Sequence, residues 1–170
     1  MEPHARPDTQ ALVKGLETIA PMEIAYKGVK LREFDLDAAL KRNPRLILVD
    51  ELAHTNVKGC RNEKRYQDVK ELLRAGIDVY TTMNIQHLES LNDIVGNVTH
   101  IEVRERVPDK VFDHADQVEV IDIEPEELIE RMKEGKIYGP LQAERALENF
   151  FAGKSWLLLG KLLLEELQTG

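Results

Sequence analysis

The chain has 170 residues, 42% of them hydrophobic, with 31 acidic side chains against 23 basic ones and a formal net charge of −8. That length suffices for one domain with a core, and the acidic balance argues against nonspecific nucleic-acid binding, which rests on neutralising phosphates with Lys and Arg. A single cysteine, Cys60, excludes an intramolecular disulfide and any C-x-x-C metal pair, and it fits an intracellular, reducing location.

Met1 to Pro7 hold no apolar run, so no signal peptide is expected. Pro7-Asp8-Thr9 opens a short helix with Leu12, Val13 and Leu16 on one side. Met22 to Tyr26 and Val29 to Leu31 flank Lys27-Gly28 and predict a β-hairpin. Asp35 is placed to cap a helix carrying Leu36, Ala39 and Leu40 that stops at Asn43-Pro44. Leu46-Ile47-Leu48-Val49 then reads as a strand buried on both faces, as in a parallel sheet.

A polar loop, His54 to Asn62, follows. Tyr66, Val69, Leu72 and Leu73 recur at helical spacing up to Gly76, and Ile77 to Thr82 is a second strand. Ile85, Leu88, Leu91 and Val95 make one apolar helix face closed by Gly96. Ile101 to Val103 is extended, Pro108 opens a brief helix, and Val118 to Ile123 is a third sheet strand. Pro125 begins a helix through Met132. Strands alternating with helices predict an α/β fold with a mostly parallel sheet over residues 1–138. Residues 139–170 predict a helical extension. Its apolar stretch, Trp156 to Leu164, is interrupted by Gly160 and Lys161 and falls short of the ~20 residues that span a bilayer.

The chemistry centres on Asp50-Glu51. Two acids at the carboxyl end of a sheet strand lie where open α/β sheets bind ligands. In nucleotide hydrolases of the P-loop kind the first acid holds Mg²⁺ and the second can polarise a water. A core strand whose terminal Asp caps the next turn reads equally well. Thr81, Thr82 and Asn84 end the second strand and face the same crevice if the strands are neighbours. They are placed to sense a phosphate or orient a water, with Asn84 as a helix cap the alternative. His54 and Arg61 are the cationic candidates of the loop; Lys64 suits a solvated face. The five histidines have no i,i+4 His partner, and no structural metal is expected.

Gly153-Lys154-Ser155 imitates the tail of a phosphate-binding loop, but Glu148 stands where the earlier glycine is needed. No G-x-x-x-x-G-K-[ST] occurs in the chain. A receiver domain is disfavoured as well. Asp93 lies inside a helical pattern, and no suitable Lys-ended strand follows Asp122.

Asp50-Glu51-Leu52-Ala53-His54-Thr55-Asn56 and Arg65-Tyr66-Gln67-Asp68-Val69 resemble the N-terminal cytoplasmic domain of the KdpD potassium-sensor histidine kinases. So do Gly76 to Thr82, Asn84 to Asp93 and Val107-Pro108-Asp109. The resemblance implies a P-loop-type fold that binds ATP and Mg²⁺, with Asp50 as the Walker B acid and sole metal ligand of the segment, and Glu51 beside it. It implies a phosphate-binding loop upstream of the segment matching Glu2 to Arg6, so residues 1–138 are expected to be an incomplete nucleotide-binding domain that holds no cofactor tightly. It also implies a longer, membrane-anchored sensor of potassium and osmotic state, whose kinase core acts on a response regulator and whose other domains contact this one. Catalysis is expected to belong to that longer protein. Cys60 and Tyr66 stand where relatives often have Ser and Trp, and the Leu-rich tail is more apolar than the family pattern. Trp156, Leu159 and Leu163 in that tail are candidates for contact with the next domain or with a second copy of the chain. A non-catalytic interaction module derived from the same fold is the alternative function.

Overall fold

A computed structural model describes residues 11–26, 28–99 and 103–134. Within them the chain is mixed α/β with two small sheets. Strands β1 (Met22–Tyr26) and β2 (Val29–Glu33) form an antiparallel hairpin in which Tyr26 pairs with Val29. Gly28 in the connection has φ +81°, a conformation that favours glycine. Helix α1 (Leu36–Arg42) starts as the sequence dictates: the Asp35 carboxylate accepts from the Ala38 amide at 2.8 Å. It ends at Asn43, left-handed at φ 50°, immediately before Pro44.

Strand β3 (Leu46–Val49) pairs in parallel with β4 (Asp78–Thr81), and helix α2 (Arg65–Arg74) lies in the connection between them. The Gln67 amide oxygen accepts from Lys64 N at 3.0 Å at the start of α2. At its end, Gly76 at φ +82° lets the Ile77 amide reach Leu72 O at 3.1 Å. Leu36, Ala39, Val49, Leu52, Ala53, Val69, Leu72, Ile77 and Val107 form the core, with Ile47 and Val79 packed against it.

The double burial expected of β3 is not found. Ile47 and Val49 face the core, whereas Leu46 is 45% and Leu48 53% exposed, and Tyr80 of β4 is 69% exposed. Among the described residues β3 pairs only with β4, so the parallel component is one two-stranded sheet with an open face.

After β4 the expected single helix is divided. Ile85–His87 is a 3-10 turn, Leu88 is extended with ψ 131°, and helix α3 runs Glu89–Thr99. Leu88 leaves helical geometry to form a parallel bridge with Val107. Gly96 therefore lies inside α3 and does not close it. Pro108 precedes helix α4 (Asp109–Asp113), and Pro125 opens helix α5 (Pro125–Lys133), both as expected.

Val118 to Ile123 forms no strand. Val118, Val120 and Ile121 are 46%, 55% and 89% exposed, and no described segment supplies the backbone ladder that a strand needs. The proposed 138/139 boundary, the helical extension, and Trp156, Leu159 and Leu163 lie outside the described residues. Among the described residues no helix is long and apolar enough to cross a membrane.

The chain divides into two compact units. One comprises residues 15–92 and 103–114 and holds both sheets, α1, α2 and α4. The described part of the other comprises residues 11–14, 93–99 and 115–134, including α5 and α3 from Asp93 onward.

Candidate functional site

The parallel register sets Val49 against Thr81, so the chains leave β3 and β4 together at Asp50 and Thr82. The Thr82 hydroxyl donates to Asp50 Oδ1, which also accepts from the Glu51 amide at 3.1 Å. The same amide lies 3.4 Å from Thr82 Oγ1, and Leu52 N donates to Thr82 O at 2.9 Å. Glu51 is left-handed at φ +54°, which turns the chain sharply out of the strand. Asp50 and Glu51 are half-buried and Thr82 is exposed, so this juncture is open to solvent. Asp50 Oδ2 makes no hydrogen bond among the described residues. One hard carboxylate oxygen of this kind suits Mg²⁺, which commonly takes few protein ligands and completes its shell with phosphates and water.

Of the other sequence candidates, Thr81 is exposed as the last residue of β4. Asn84 stands exposed before the 3-10 turn, and its side chain makes no capping bond; its carbonyl accepts from His87 N at 3.0 Å. His54 and Arg61 are drawn into a different network. His54 Nε2 lies 3.1 and 3.2 Å from the two oxygens of Glu33. Arg61 is paired with Asp37 and Glu71, each at 2.7 Å.

Glu33 is the residue that sequence reasoning missed. Its side chain is 3% exposed, and besides His54 it accepts from Arg65 Nη2 and from Val57 N, both at 2.9 Å. Arg65 Nε reaches Asn56 Oδ1 at 3.3 Å, and its guanidinium lies over the Phe34 ring, 5.6 Å from the centroid. Asn56 Nδ2 donates to Asp68 Oδ2 at 2.7 Å, and Asn62 Nδ2 donates to Asp68 Oδ1 at 3.0 Å and Glu71 Oε1 at 2.7 Å. These side chains fasten the loop after the acid pair to β2 and α2. The signal for Glu33 lay in strand alternation: it shares a face with Leu31, so an acid on that side needed a cationic partner. A cavity of about 250 Å³ borders the network, lined in part by Phe34, Asp35, Cys60, Arg61 and Asp68. Burial pushes the Cys60 thiol up, and Glu33 and Asp68 add to the shift, which disfavours the reactive thiolate.

Burial also raises the Asp68 carboxyl above its ordinary value, against the pull of Asn62, Asn56 and Arg65. The folded chain therefore holds this proton more tightly than the unfolded one. Its contribution to stability is complete below the unfolded pKa and is lost as pH rises through the folded value. Asp68→Asn abolishes that titration. The difference in Tm between variant and parent should move in the variant's favour as pH climbs through this window. A difference that stays constant with pH would contradict the assignment.

A small mixed α/β domain with a carboxylate pair at the mouth of a parallel strand pair is the class defined by these features. Residues 1–169 match the family described as KdpD, the osmosensitive K⁺ channel His kinase sensor domain, and the chain belongs to that family. It is 61% identical over 164 residues to the sensor protein KdpD of Clostridium acetobutylicum, and 55% identical over 164 residues to that of Escherichia coli K12. It is 48% identical over 151 residues to the sensor protein KdpD of Mycobacterium tuberculosis H37Rv. These alignments cover 96%, 96% and 89% of this chain but 18% of each relative, so the chain spans less than a fifth of their length.

Proposed function

We propose that this chain is the regulatory, ATP-binding-type domain of a KdpD-like two-component sensor kinase that serves potassium and osmotic control. The observation that carries the proposal is the meeting of Asp50, Glu51 and Thr82 at the carboxyl ends of β3 and β4, the place where P-loop NTPase-like folds position a Walker B acid. Asp50 holds Mg²⁺ only together with a nucleotide, and Thr82 orients the carboxylate. Thr81 and Asn84 border the phosphate end of the site. No catalytic step is assigned to this segment; phosphoryl transfer belongs to the longer sensor. That sensor places the domain on the cytoplasmic side of a membrane, in contact with its other domains. Trp156, Leu159 and Leu163 are candidates for contact with the next domain or with a second copy of the chain, and the response regulator is engaged only through the full-length sensor.

These 170 residues contain no G-x-x-x-x-G-K-[ST] motif, the sequence that supplies such a cradle and its Lys, so Mg-ATP is expected to bind weakly or not at all. Titration calorimetry of this chain and of a longer native polypeptide carrying a phosphate-binding loop tests the proposal. Gain of tight binding in the longer form supports it; equal, micromolar-class binding by both overturns it.

One observation favours a second function. The open face of β3 and β4, with Leu46, Leu48 and Tyr80 exposed, suits an interaction module that docks partners without nucleotide. Failure of the longer polypeptide to bind any nucleotide would favour that alternative.

A further inference from the structure

Two loops carry the strand-end site: residues 50–57 after β3 and residues 82–88 after β4. Next to the strands they are joined by the bond from Leu52 N to Thr82 O. Farther out, Glu105 touches both. Its Oε1 accepts from Thr55 N at 2.8 Å on the first loop, and its backbone carbonyl receives His87 Nδ1 at 2.9 Å on the second. We propose that Glu105 is a positioning residue that sets the gap between the two loops, and with it the meeting of Asp50 and Thr82. The proposal deepens the function given above and rests on it only for the meaning of the strand-end site; the loop spacing itself is read without a ligand.

The segment bearing Glu105 is firmly held. Val107, 0% exposed, donates to His87 O at 2.8 Å and accepts from Glu89 N at 3.0 Å. Asn92, 4% exposed, donates through Nδ2 to Gln86 O at 3.0 Å and to Val103 O at 3.2 Å. The carboxylate of Glu105 thus projects from a fixed base on the second loop. The first loop does not need it in order to fold. Arg65 N already bonds His54 O at 3.0 Å, Asn56 N bonds Glu63 O at 2.9 Å, and Lys64 Nζ reaches Thr55 Oγ1 at 2.6 Å. The additional charge-assisted bond to the Thr55 amide ties an already closed loop to its neighbour. Its role is separation between loops and not closure of either.

Amide hydrogen exchange by NMR on the 170-residue chain, comparing E105A, E105Q and the parent, tests this. Glutamine keeps an acceptor oxygen at the same reach and should retain the parent pattern. In E105A the Thr55 and Leu52 amides should exchange about tenfold faster, while Leu72 and Val107 keep their protection. Faster exchange at Thr55 with Leu52 unchanged, or loss of protection throughout the core, overturns the proposal.

Discussion

Arg65→Ala is expected to lower the unfolding free energy by about 3–5 kcal/mol, measured by urea denaturation at neutral pH. Arg65 is 11% exposed at its side chain and sits 2.9 Å from Glu33, which is 3% exposed. Deleting the guanidinium leaves a buried carboxylate without its fixed cation, removes the donor to Asn56 and uncovers the Phe34 ring. Arg65→Lys should recover only part of the loss. A single ammonium cannot address Glu33 and Asn56 at once with the planar fork that Arg provides. A loss below about 1 kcal/mol for Arg65→Ala would place the pair among weak surface bridges and would contradict this account of the network.

Leu72→Ala should cost a comparable amount, about 2–5 kcal/mol, through lost burial and the cavity left behind. Leu72 is 0% exposed on α2 and belongs to the same core as Ile77 and Val107. Its chain neighbour supplies the control. Leu73 is 50% exposed, so Leu73→Ala should change stability by well under half as much. Equal losses in the two variants would mean that the face of α2 turned to the core is wrongly assigned. The two experiments separate the apolar from the ionic attachment of α2.

Local signals in the sequence are most legible where a single residue decides the backbone. Asp35 caps α1, Asn43 before Pro44 ends it, and Gly28 turns the hairpin. Each is a short-range effect of side-chain chemistry on neighbouring φ and ψ. The meeting of Asp50 with Thr82 was legible for a related reason, since equal-length parallel strands deliver their carboxyl ends together. Leu46 and Leu48 misled because an aliphatic run reports what a strand can bury, not what covers it. Val118 to Ile123 misled similarly: alternation is a property of one strand, whereas a ladder needs two. Leu88 interrupts the helix pattern for a long-range bridge to Val107, which no local window contains. His54 and Arg61 lie close to the acids in sequence, yet His54 pairs with Glu33, and Arg61 with Asp37 and Glu71. Proximity along a loop does not say which way its side chains are recruited.

The turn at Glu51 has a consequence for protein engineering. A left-handed backbone costs a residue with a β-carbon about 1–2 kcal/mol, and Glu51 adopts φ +54° next to Asp50. A redesign guided by thermal tolerance alone would discard this acid early, in favour of glycine or asparagine. Heat-hardened variants of the domain would then differ from the parent at the very position that flanks the strand-end carboxylate. Selection for robustness and retention of the acid pair pull in opposite directions here, and a library screened only for melting behaviour would separate them.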